Sequence, residues 1–153
     1  MLTSRVPDAV DALLVIVRGL ALDDVRIVDG PESVNATERH RIHIGWAPNA
    51  ESSVTLQQEW NAAGARTRDE QFTIPCYAES RGGDTDMAFR RRKVFEMAAA
   101  VEQALRATNE NPEAPTLNGT VLWAELTTGD LLQSHAEGTV AGLMFTVACR
   151  ARI

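Results

Sequence analysis

The stretch GTVAGLMFTVACRARI, Gly138 to Ile153, constrains this chain more than any other. Ala141, Leu143, Phe145, Val147 and Cys149 recur at every second position, a period that gathers them on one side of an extended strand. The stretch RTRDEQFTIPCY alternates in the same way, with Phe72, Ile74 and Cys76 on its inner side. Pro75 has no N–H to give a neighbouring strand, so this second strand is expected to end there or to lie at a sheet edge. RHRIHIGW places Ile42, Ile44 and Trp46 on one side and Arg41 and His43 on the other, a half-buried strand. VRIVDGP, Val25 to Pro31, reads as a short strand stopped by an Asp-Gly-Pro turn, and TVLWAELTT as another strand.

Two stretches carry helical spacing instead. Pro7 and Asp8 open a run with Val10, Leu13, Leu14, Val17 and Leu20, and Gly19 marks its far end. A longer helix is predicted from about Asp84 to Thr108, capped by Asp84 or Thr85. ENPEAPTLNGT, with two prolines and an Asn-Gly pair, is a loop. The order is helix, three strands, helix, two strands. That order predicts an α+β fold, a mainly antiparallel five-stranded sheet with two helices packed on one face, in one domain over residues 1–153.

Charge enters through one cluster, Arg90, Arg91, Arg92 and Lys93, in a chain whose formal charge is −6. Phosphate-binding domains are usually basic. Advancing about 100° per residue from Val94, the residues Met87, Ala98, Val101 and Leu105 form the core stripe. Arg90 and Arg91 flank that stripe, while Lys93 and Arg92 point elsewhere, so the cluster reads as a helix end and not as a grip on DNA. Arg91→Glu is then expected to cost stability and Arg92→Glu little.

Reactive chemistry is not visible. His40 and His43 lie three apart, on opposite faces of a strand, and cannot share a metal. No Cys–His spacing suits zinc, and Gly82-Gly83 lacks the length and the Lys-Ser/Thr of a phosphate loop. Asp69 and Glu70 are expected on a solvated strand face. Asn35-Ala36-Thr37 and Asn118-Gly119-Thr120 mark loops only. Cys76 and Cys149 are expected to be reduced core thiols, and no apolar run is long enough to span a membrane. The reading is a non-enzyme without catalytic residues, metal or cofactor, folded in the cytosol.

The excursion from Ala47 to Ala65 is long for a connection and is expected to carry a contact surface. Leu56, Trp60 and Ala63 fall at i, i+4 and i+7, with Ser53 as cap and Gly64 as stop, which predicts a short amphipathic helix. Leu56, Trp60, Arg66 and Arg68 are the candidate interface residues. The plainer alternative folds Trp60 back onto its own sheet.

Taken together, VRIVDGP, the strand ending IHIGW, RDEQFTIPCYAESRGGDTD, the helix MAFRRRKVFEMAAAVEQAL, LNGTVLWAEL and the last long strand resemble the tail terminator proteins of long-tailed, non-contractile phages and prophages. The resemblance covers nearly the whole chain. It implies a small domain that caps the tail tube as a hexameric ring, stops polymerisation and offers a surface for head joining. The implied partners are further copies of the chain, the major tail tube protein and the head–tail connector protein, with no specific nucleic acid and no membrane. The implied location is the virion tail, after assembly in the host cytoplasm. The outward residues Gln71, Thr73, Thr146 and Ala148 are small or polar, as such a ring needs. The alternatives are another head–tail connector or tail-completion protein, and a small cellular α+β binding domain.

Overall fold

The chain, seen in a computed structural model, runs through α1 (Val6–Gly19), β1 (Val25–Asp29), β2 (His40–Ile44), β3 (Thr55–Trp60), β4 (Arg68–Gly82), α2 (Met87–Ala104), β5 (Trp123–Ser134) and β6 (Thr139–Arg152), with a short 3₁₀ turn at Ala114–Thr116. The structure describes residues 2–32, 38–135 and 138–153. The fold is α+β, and among the described residues the sheet has six strands, mostly antiparallel. Their order is β1-β2-β4-β6-β5, with β3 beside the first part of β4.

The two strands with the clearest alternation form the middle of the sheet. β4 and β6 pair antiparallel from Asp69 opposite Arg152 to Gly82 opposite Thr139. Their alternate apolar residues, with Ile42 and Ile44 of β2, meet Leu13, Leu14 and Val17 of α1 and Val94, Met97 and Val101 of α2 in one core cluster. Both helices therefore pack against the sheet, and each buried Leu, Ile or Phe stabilises it by about 1.5–3 kcal/mol. Cys76 and Cys149 are unbonded to each other and buried, and burial pushes both thiols up to about 12.

Several expectations need correction. The excursion holds a strand, β3, and not a helix. A spacing of four puts Leu56 and Trp60 on one side of a helix and equally on one side of a strand, and register against Phe72 and Arg68 selects the strand. Ala63 and Gly64 fall in the turn that follows.

Pro75 neither ends β4 nor lies at an edge. Its carbonyl accepts from the Gly45 N–H at 2.8 Å, so its missing N–H faces the point where β4's neighbour changes from β3 to β2. No ladder bond is lost there.

β1 and β2 run parallel, unlike every other pair. Trp46 lies on the His43 side, with ring centroids 4.8 Å apart, because Gly45 leaves the strand at φ +79°. Arg41 and His43 are buried, not half exposed: Arg41 pairs with Glu32 and Glu79, and His43 donates from Nδ1 to the Gly30 carbonyl at 2.9 Å.

β5 runs on to Ser134, and a bulge between Leu126 and Thr128 explains how. Leu126 and Leu131 are an odd number of residues apart and would face opposite ways in a regular strand. The extra residue lets both face the core side. The helix α2 is shorter than expected. Its cap is Asp86, whose side chain accepts from Phe89 N–H, while Asp84 turns to Arg90 instead.

Candidate protein-interaction surfaces

β3 and its turn into β4 form an arm at one edge of the sheet. All but one of the β3 side chains are exposed. Leu56 is 45% exposed and Trp60 63%, while the Arg68 guanidinium lies 5.6 Å from the Trp60 ring centre. A desolvated cation over an indole face is worth more than an exposed one, so this pair gains if a partner covers it. Arg66 is exposed in the turn, where Asn61 N–H donates to the Thr67 carbonyl at 3.2 Å. Of the four residues singled out in the sequence, the structure brings Leu56, Trp60 and Arg68 onto one face and leaves Arg66 beside them in the turn. Trp60 does not fold back into the core.

The arm is fixed from below. Arg68 exchanges two backbone hydrogen bonds with Ile153, and Gln58 donates to Glu70 at 2.6 Å and to the Thr3 carbonyl at 2.7 Å. Glu70 is fully buried, and Asp69, on the opposite face of β4, binds Arg150 and Arg152. The expected solvated carboxylate face is thus two clamps, one on each side of the sheet. The guanidinium of Arg152, then that of Arg150, holds the Asp69 carboxyl below its ordinary range.

The far edge of the sheet carries a second feature that the sequence did not reveal. Between α2 and β5 lies an apolar groove of ≈ 360 Å³, lined by Phe95, Ala99, Glu102, Leu126, Leu131 and Phe145. Phe95 is 50% exposed. Its walls come from three elements, α2, β5 and β6, so no local pattern announces it.

The sheet face away from the helices is open over β3, the first part of β4, β6 and β5. Gln71 and Thr73 are exposed there, Thr146 and Ala148 half-buried, and Thr127 bonds Thr146 through their hydroxyls at 3.0 Å. These are the outward residues expected from the sequence. Exposed Trp123 and Leu132 on the same face belong to β5, a long edge strand that has no partner strand on its outer side among the described residues.

The arginine cluster is dispersed. Arg90 is buried, Arg91 is exposed and donates to Gln133 at 2.8 Å, Arg92 is exposed and Lys93 is half-buried. Among the described residues no group of three or more His, Cys, Asp or Glu is placed to hold a metal ion, and no helix is long and apolar enough to cross a membrane. His40 and His43 do lie on opposite faces, opposite Ser80 and Tyr77 respectively.

His40 gives the protein a pH dependence. Burial lowers its pKa, and the positive charges of Lys93 and Arg90 lower it further. Below the ordinary histidine value of about 6.5 the unfolded chain therefore binds a proton that the folded chain resists. Stability should be complete above that pH and decline as the pH falls beneath it. Asp69 and Asp84 (the latter through its hydrogen bond from Arg90) have lowered pKa values, so their contribution is present above about 3.9 and is lost as the pH falls through the folded values. Melting temperatures should fall in two stages, and His40→Gln should remove the first alone. An unchanged profile in that variant would contradict the assignment.

No protein-family model matches this chain, and no curated protein matches it in sequence.

Proposed function

We propose that this chain is a structural virion protein that caps a phage tail tube, ends its polymerisation and forms the head–tail joining surface as a hexameric ring. The observation that carries the reading is the open sheet face, polar over Gln71, Thr73, Thr127 and Thr146 and bordered on β5 by exposed Trp123 and Leu132, with the β3 arm on one side and the outer edge of β5 on the other. The polar part of this face can line a water-filled lumen, while Trp123 and Leu132 at its β5 border suit contact with a neighbouring copy. The two flanks differ in shape, so contacts between copies run head to tail, and head-to-tail contacts close into a ring when the rotation permits. A formal charge of −6 per copy suits a channel through which DNA slides. The partners are further copies of the chain, the major tail tube protein and the head–tail connector protein. A tube end that displays six-fold sites would raise the effective concentration that closes the ring.

The test adds the protein to polymerising tube protein. Equimolar addition should stop elongation and leave extra density on one tube end in electron micrographs. Tubes that keep lengthening with bare ends would refute the reading.

A further inference from the structure

From the two edges of the sheet we infer that the β3 arm of one copy docks in the α2–β5 groove of the next, with Trp60 as the inserted side chain. The inference rests on the ring reading for its stoichiometry but not for the contact itself.

The arm and the groove are complementary. Leu56 and Trp60 project from β3 on the side of the sheet that carries the helices, as their register with Phe72 and Arg68 fixes. The groove opens on that same side, between α2 and β5. Within one molecule they cannot meet, because β4 and β6 lie between β3 and β5, a separation of roughly 14 Å at the ordinary strand spacing. Between molecules they can, and the contact then repeats in one direction.

Charge favours a second copy over other occupants. The arm carries Arg68 against the Trp60 ring and an exposed Arg66 in the adjoining turn, and Glu102 is among the residues that line the groove. Glu102 pairs with Arg106 on its own helix, an exposed i,i+4 pair that an incoming arginine can share. Trp60 lying under Arg68 enters as a preformed unit, and a tryptophan in an apolar, water-free pocket is the residue type that dominates interface energies.

The experiment uses two single-cysteine additions that leave Trp60 in place, Ala62→Cys in the turn of the arm and Ala99→Cys in the groove. Both positions are exposed, so each variant should fold, and an unchanged melting temperature checks this. The native Cys76 and Cys149 are buried and do not compete for a short bismaleimide linker. Linked dimers should form when the two variants are mixed and not in either one alone. A chain carrying both changes should give a ladder that ends at six. Trp60→Ala should weaken self-association by roughly 30-fold while the melting temperature holds.

Linkage in the mixture no greater than in the single variants would overturn the docking, as would a Trp60→Ala protein that melts early but assembles normally. Occupation of the groove by a small apolar molecule, with no linkage between copies, also counts against it. Electron microscopy of the unmodified protein separates the two readings. Rings without linkage between positions 62 and 99 leave the ring standing and sink the docking. A ladder that runs past six or stays open leaves the docking standing and sinks the hexamer.

Discussion

Arg90→Glu should destabilise the protein by about 3–5 kcal/mol, whereas Arg91→Glu and Arg92→Glu should each change stability by less than about 1 kcal/mol. Arg90 is 3% exposed, its Nη2 lies 2.7 Å from Asp84 Oδ2, and its Nη1 lies 3.3 Å from Ser80 Oγ. Its guanidinium crosses Gly82 so closely that a Cβ there would lie 2.1 Å from Nη2. A glutamate in this place would put a buried carboxylate beside Asp84 and leave Ser80 without its donor. Arg90→Met keeps the stem packed and should cost much less, because Asp84 is half exposed and water can solvate it. Denaturant midpoints at constant slope measure all four variants. Equal losses for Arg90→Glu and Arg91→Glu would show that burial of Arg90 is not what matters.

That contrast also marks where periodicity stops being informative. A helical wheel puts Arg90 and Arg91 on the two borders of the apolar stripe, and only the position of the sheet decides which border is covered. The start of α2 overhangs β4 at Ser80 on the Arg90 side, and on the other side the exposed Arg91 donates to Gln133 near the end of β5. Ile42, Ile44, Phe72, Ile74, Cys76 and the alternating row of β6 were legible because period two admits one interpretation over a long run. Leu56 and Trp60 were not, since a spacing of four fits either backbone. The second half of β5 was hidden by its bulge, which breaks the alternation between Leu126 and Leu131. Pro75 misled because whether a missing N–H matters depends on which neighbour stands opposite, and that is settled by β2 and β3 ending on either side of it. As for the candidate surface, composition and loop length pointed to Trp60 and its arginines, but the groove on the far edge exists only once α2 lies over β5.

Glu70→Ala should cost about 3–4 kcal/mol and should loosen the arm before the rest of the molecule. The α1 cap residue, Arg5, has no side-chain cap bond of its own. Glu70 lies across the fold and satisfies the cap residue's own backbone N–H instead. Its Oε1 accepts the Arg5 N–H at 2.8 Å, and its negative charge sits at the positive end of the helix dipole. Its Oε2 accepts from Gln58 at 2.6 Å, which ties β3 to the same carboxylate. With alanine there, the Arg5 N–H loses its partner, Gln58 keeps only the Thr3 carbonyl, and a hole opens where a fully buried side chain stood. Glu70→Gln retains the volume and one acceptor but turns an amide donor toward the Gln58 donor or toward Arg5, and should cost about 1–2 kcal/mol. Hydrogen exchange distinguishes a local clamp from a general loss. Amides of β3 and of the first turn of α1 should exchange faster in Glu70→Ala, while those of β4 and β6 in the sheet centre keep their protection relative to global stability. A variant within about 0.5 kcal/mol of the parent, or one whose exchange rises uniformly, would show that Glu70 does not hold the arm and the helix together.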